Sequence, residues 1–113
     1  MHELSLCEGV LQLLEDSAGK EGFRRVKKVR LEVGALSGIE TESLRLNFTV
    51  AAGGTLADGA SLEIIEVPGA AWCGDCGRTV PVAQRFDACP LCGNQHMRVT
   101  AGTGMRIREL EVE

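Results

Sequence analysis

Cys73-Gly74-Asp75-Cys76-Gly77 and Cys89-Pro90-Leu91-Cys92-Gly93 are two copies of one short pattern. A C-x2-C turn puts two thiolates on one side of a tight loop, and two such loops can close a tetrahedron of four sulfurs around one metal ion. Gly77 and Gly93 stand where such a knuckle needs positive φ and backbone amides turned toward the sulfurs. The chain has 113 residues, enough for one ordinary domain or for a small core with a metal-stapled appendage. Because the paired cysteines all fall in the last third, the second arrangement is expected.

Cys73, Cys76, Cys89 and Cys92 suit structural zinc, whose coordination is tetrahedral and thiolate-rich. The same turns serve iron, and the Cys89–Gly93 half is rubredoxin-like, so the spacing is shared by the two metals. A disulfide framework fits less well, since the five cysteines are an odd number and no secretory apolar segment precedes the fold. A reducing compartment follows. Cys7, the fifth, falls in a helical stripe and reads as a small apolar packing residue.

Sixteen acidic against 12 basic residues give a net charge of −4, a poor electrostatic footprint for nucleic acid. Trp72, Phe23, Phe48 and Phe86 are too scattered to make a base-stacking platform. No apolar run approaches the roughly 20 residues of a membrane span. The expectation is a soluble, cytoplasmic protein without nucleic-acid or membrane partners.

Leu4, Cys7, Leu11 and Leu14 recur at steps of three and four, with Val10 and Leu13 beside them, which predicts a helix from about Ser5 to Ala18, ended by Gly19 and Gly22. From Val26 to Val33 the period becomes two, with Val29, Leu31 and Val33 on one face and Lys28, Arg30 and Glu32 on the other. Ser37 to Glu40 has capping-box spacing, and Leu44, Phe48 and Ala51 continue at helical intervals to Gly53-Gly54. After the Asp58-Gly59 turn, Leu62, Ile64 and Ile65, bounded by Pro68-Gly69, read as another strand. The apolar phase of Met105–Glu113 slips from odd to even residues, which a bulge or strand start near Glu109 would reconcile.

These elements predict an α+β fold: two helices on a small three-stranded sheet, with an inserted zinc-ribbon-like module of two Cys-x2-Cys knuckles. Residues 1–68 and 104–113 would form the main domain and 69–103 the zinc-binding domain, with Gly69-Ala70-Ala71 and Gly102-Thr103-Gly104 as flexible links. Exchange of the last strand or the module between two chains would give a homodimer.

A second metal site is suggested by Met1-His2-Glu3. Nickel(II) takes square-planar nitrogen sets, and the Met1 amine, the His2 imidazole and the intervening amides of His2 and Glu3 can close chelate rings without any fold. Bulky His2 should leave the initiator methionine in place. An ordinary polar start before a helix, with Glu3 near the positive helix dipole, accounts for the same residues. His96, the other histidine, reads either as a surface or zinc-neighbouring loop residue or as an extra nickel ligand swung in by the module.

The Met1-His2-Glu3-Leu4-Ser5 opening, the strand Lys28 to Gly34, the two cysteine knuckles and the Arg106–Glu113 tail resemble the HypA/HybF family over essentially the whole chain. That resemblance implies a nickel metallochaperone for [NiFe]-hydrogenase maturation and, in some organisms, urease. It implies a transported nickel ion at Met1, His2 and Glu3 and a structural zinc ion at Cys73, Cys76, Cys89 and Cys92. The implied partners are a GTPase, HypB, the hydrogenase large subunit or its maturation complex, and urease maturation proteins.

Other classes use parts of the same evidence. A zinc-ribbon adaptor for protein or nucleic acid would keep the cysteines but have no use for His2. A thiol redox protein needs a reactive low-pKa cysteine, which four metal-held sulfurs do not offer. An enzyme is the least supported: the chain has no Gly-x4-Gly-Lys-[ST] phosphate loop and no tyrosine, and four thiolates leave zinc no open position for water. The run Lys20, Arg24, Arg25, Lys27, Lys28 and Arg30 reads as a solvated face or as a dock for an acidic partner. Glu109, Glu111 and Glu113 balance that run and read as solvent-facing residues of the final strand, or as partners opposite Lys28 and Arg30.

Overall fold

The computed structural model describes residues 3–113. The chain runs α1 (Glu3–Glu21), β1 (Val26–Gly34), α2 (Thr41–Ala52), β2 (Ser61–Val67), β3 (Gly69–Cys73), β4 (Arg78–Val82), β5 (Arg98–Ala101) and β6 (Met105–Val112). Two three-stranded sheets result, ordered β2-β1-β6 and β4-β3-β5. The expected α+β class, with its two helices and cysteine module, is the fold observed.

Two compact units divide the chain: Met1–Leu31, Ile39–Ile65 and Arg106–Glu113 in the first, Glu32–Gly38 and Glu66–Met105 in the second. In the first, α1 buries Cys7, Val10, Leu11 and Leu14, the i, i+3, i+4, i+7 stripe of an amphipathic helix. The helix carries on through Gly19 and stops at Gly22, whose φ of 79° and N–H bond to the Ala18 carbonyl make a glycine C-terminal turn. On β1, Val26, Val29 and Leu31 are buried while Lys28 and Arg30 reach the outer face.

The start of α2 differs from the sequence expectation. Glu40, not Ser37, is its N-cap, in extended conformation with its carboxylate accepting from the Glu42 N–H. Ser37 instead sits in the turn leaving β1, its N–H bonded to the Gly34 carbonyl. Thr41 as the first helical residue sets the buried stripe at Leu44, Phe48 and Ala52, so Ala52 takes the inward place expected for Ala51. The two helices start side by side: the Glu3 carboxylate accepts from the Glu40 N–H and the Cys7 thiol donates to the Leu44 carbonyl. Both pairs advance together along the chain, so the first turns run parallel.

In the second unit β3 is central. Its register with β4 pairs Gly69 with Val82 and Cys73 with Arg78, and with β5 it pairs Trp72 with Arg98, interrupted by an irregularity at Ala70/Ala71. Leu36, Ala71 and Val82 form one small core with Met97 and Val99 against it. Cys73, Val80 and Cys89 form another with Cys76 and Met97.

The two expected flexible links are corrected here. Gly69–Ala71 is the first half of β3, hydrogen-bonded on both edges. The Gly102 and Gly104 carbonyls accept from the Leu36 and Gly34 N–H groups, each at 2.8 Å. Gly34, Gly69 and Gly102 are needed for close approach rather than for freedom, whereas Gly104 has open space where a Cβ would stand. A Cβ on Gly34 would lie 2.1 Å from the Gly102 carbonyl oxygen, and one on Gly102, whose φ is 87°, would lie 2.8 Å from the Gly69 backbone.

Candidate metal centre

Cys73 ends β3 and Cys76 follows three residues on, before β4 begins; Cys89 and Cys92 lie in the connection from β4 to β5. Both knuckles close in the same way. The Gly77 N–H donates to the Cys73 carbonyl at 2.9 Å and the Gly93 N–H to the Cys89 carbonyl at 2.8 Å, with φ of 64° and 78° at the two glycines. Here the positive φ anticipated at both glycines is observed.

The four sulfurs lie within 4.8 Å of one another. Cys73 Sγ to Cys92 Sγ is 3.6 Å and Cys76 Sγ to Cys89 Sγ is 3.9 Å. A tetrahedron with metal–sulfur bonds of about 2.3 Å has edges of about 3.8 Å, so these separations fit one ion at the centre. They are far too long for disulfides, which need about 2.05 Å, and all five cysteines are free. Backbone N–H groups point at the sulfurs as the knuckle geometry requires, from Cys76 to Cys73 and from Leu91 to Cys89, both at 3.4 Å.

The electrostatics favour a cation. The Cys76 N–H, then the Asn94 side chain, stabilises the Cys73 thiolate and holds that thiol down at about 6. Cys76 is pushed the opposite way, to about 12, first by its hydrogen bond with Cys92 and then by burial. Four sulfurs this close cannot all ionise by themselves, because each negative charge opposes the next. A divalent ion reverses that balance and is what this donor set can hold.

Asn94 was not singled out by sequence reasoning, yet it directly follows the second knuckle and bonds to both knuckles. Its side-chain N–H bonds Cys73 Sγ at 3.6 Å, its Oδ1 accepts from the His96 N–H at 2.9 Å, and its carbonyl accepts from the Cys89 N–H at 2.9 Å. The available signal was an amide side chain directly after a Cys-x2-Cys-Gly run. His96 itself is exposed.

Of the other candidate residues, Met1 and His2 lie outside the described residues. Glu3 is buried, at 6% exposure, with its carboxylate on the Glu40 N–H. Its side chain is therefore engaged at the start of α2. Lys28 and Arg30 meet Glu63, Glu109 and Glu111 in one surface ion-pair network. Glu109 and Glu111 were expected there, as was Glu113, whose backbone bonds to that of Arg24 and Arg25; Glu63, on β2, was not.

Fold and site together define an α+β protein whose second unit carries a four-cysteine cluster able to hold a metal ion. The family model described as "Hydrogenase/urease nickel incorporation, metallochaperone, hypA" matches residues 1–112, and the chain belongs to this HypA family. It is 55% identical over 113 residues to the hydrogenase maturation factor HypA of Acidithiobacillus ferrooxidans, covering 100% of both chains. It is 52% identical over 113 residues to that of Azotobacter chroococcum mcd 1, again over 100% of both. The solution structure of the Ni metallochaperone HypA from Helicobacter pylori shares the fold, with a TM-score of 0.72 at 23% identity, covering 99% of this chain and 97% of that one. A second solution structure, of HypA protein, gives 0.74 at 25% identity, covering 100% and 97%. Among the described residues no helix is long and apolar enough to cross a membrane.

Proposed function

We propose that the protein carries Ni(II) on the Met1 amine, the His2 imidazole and the amides of His2 and Glu3, and holds a structural Zn(II) on Cys73, Cys76, Cys89 and Cys92. Family membership over residues 1–112 is the observation that carries this reading. The donor chemistry supports it: nitrogen ligands suit planar nickel, and a closed set of four thiolates suits tetrahedral zinc. In these terms residues 1–68 and 104–113 are the nickel-binding domain and 69–103 the zinc-binding domain. The compact second unit is larger than that, since it also takes in Glu32–Gly38, Glu66–Pro68 and Gly104–Met105.

The chemistry is ligand exchange and needs no catalytic residue. An amine and an imidazole must both be deprotonated to bind, so nickel is taken up near neutral pH and given up when protons or a partner's stronger ligands compete. Protonation of the His2 imidazole makes nickel binding fall, and release rise, in mild acid. The recipient is the maturation machinery of a [NiFe]-hydrogenase, in some settings of urease, with the GTPase HypB, the large subunit or its maturation complex as partners. Free cysteines suit a reducing, cytoplasmic setting.

Nickel titration of untagged, zinc-loaded protein tests this, with His2→Ala and His96→Ala beside it. The expected result is one planar nickel per chain in the parent and none in His2→Ala; a loss in His96→Ala adds that residue to the ligands. Binding unchanged in His2→Ala, or absent in the parent, would leave a zinc-ribbon adaptor as the better account.

A further inference from the structure

The Asn94 side chain has its two polar atoms committed to different neighbours. Nδ2 faces Cys73 Sγ at 3.6 Å and Oδ1 faces the His96 N–H at 2.9 Å. A metal-bound thiolate can only accept and a backbone N–H can only donate, so one orientation of the amide satisfies both. The reverse would set oxygen against sulfur and NH2 against N–H. The half-buried Asn94 is further pinned by its own carbonyl, which takes the Cys89 N–H at 2.9 Å and so ties it to the second knuckle.

We propose that Asn94 is a positioning residue of the metal centre: its single amide group joins the Cys73 sulfur to the His96 backbone, so that the electronic state of the centre sets the placement of His96. The inference rests on the four-cysteine cluster holding a metal ion. Through this bond a first-knuckle sulfur is linked to a residue four positions past Cys92. Any change at the Cys73 thiolate, whether a change of metal or loss of the bond to it, alters the grip on Nδ2, and the rigid planar amide passes that change to Oδ1 and the His96 N–H. Hydrogen bonds from outside the ligand set commonly govern metal retention in this way.

Two substitutions separate this role from that of a simple loop turn. Asn94→Asp keeps the acceptor for the His96 N–H but sets a carboxylate oxygen against the Cys73 thiolate; Asn94→Ala removes both bonds. The full-length protein is loaded with Co(II), whose thiolate-to-cobalt absorption reports the sulfurs. A chelator is then added and release is timed.

Both variants are expected to release cobalt about 10–100-fold faster than the parent. Their charge-transfer band should move to longer wavelength, because a thiolate that loses an N–H bond gives up an electron more easily. In the parent, exchanging zinc for cadmium should shift the His96 amide proton resonance, and in Asn94→Ala it should not. Parent-like release and absorption in both variants would overturn the proposal. So would a parent-like Asn94→Asp beside an impaired Asn94→Ala, since only the acceptor would then matter. A parent that takes up no cobalt at all would instead remove the metal centre on which the inference stands.

Discussion

Arg30 shows how a single residue organises a surface. Its guanidinium meets Glu63 at 3.2 Å, reaches Glu111 at 3.9 Å and also pairs with Glu109, while Lys28 meets Glu63 at 3.4 Å. The hydrogen bond from Arg30 is the main reason that the Glu63 carboxyl is held below the usual carboxylate value, with Lys28 adding to it. A carboxyl with a depressed folded-state pKa stabilises the protein above its ordinary unfolded value and loses that contribution as the pH falls through the folded value. Arg30→Ala should therefore be less resistant to urea than the parent near neutral pH. The gap between the two denaturation midpoints should begin to narrow as the pH falls past the ordinary carboxylate value of about 4.3 and close once it is below the depressed folded value, where Glu63 is protonated in both. A gap independent of pH would show that Arg30 acts through packing of its aliphatic stem rather than through Glu63. At this scale the sequence was only partly legible: alternation along β1 put Lys28 and Arg30 on one face, but the partnership with Glu63 depends on β2 lying beside β1, which no local pattern states.

Elements were legible where the period was unbroken. The α1 stripe and the β1 alternation both came through, and the slip expected in β6 is visible as two successive exposed residues, Arg108 and Glu109, between half-buried Ile107 and Leu110. Misreadings arose where a local motif competed with tertiary structure. Ser37 to Glu40 has capping-box spacing, yet Gly38 at φ 75° turns the chain there and leaves Glu40 to cap α2. Glycines 69, 102 and 104 look like hinges in sequence because small residues serve both freedom and close packing. Substitution tells the two apart. Gly102→Ala meets both a left-handed φ of 87° and backbone atoms at 2.8 Å, and should cost about 2–4 kcal/mol. Gly54→Ala, at φ 76° with open space around its Cβ, should cost only about 1–2 kcal/mol. Thermal denaturation of the two variants checks this; equal losses would mean that Gly102 is a turn glycine and nothing more.

For the molecule as a whole, the second unit combines one three-stranded sheet with small cores and the four-cysteine cluster. Its cores are small clusters around Ala71 and Cys73, with two ligands, Cys73 and Cys89, among the buried side chains. Small units of this kind draw folding free energy from the bound ion. The four cysteines were legible from spacing alone because a knuckle is a local structure, and each turn supplies two of the four sulfurs. The proposed nickel site is a different matter: its donors need no fold, so neither helix nor sheet would announce it, and only the family resemblance implies it. Keeping two metals on chemically distinct donor sets, nitrogen for the cargo and sulfur for the framework, is the central claim. The most direct test is X-ray absorption at the nickel edge on untagged protein loaded with both metals. Planar nickel coordinated by nitrogen and oxygen alone is expected, with that signature lost in His2→Ala. Sulfur among the nickel ligands, or the same spectrum in His2→Ala, would contradict it.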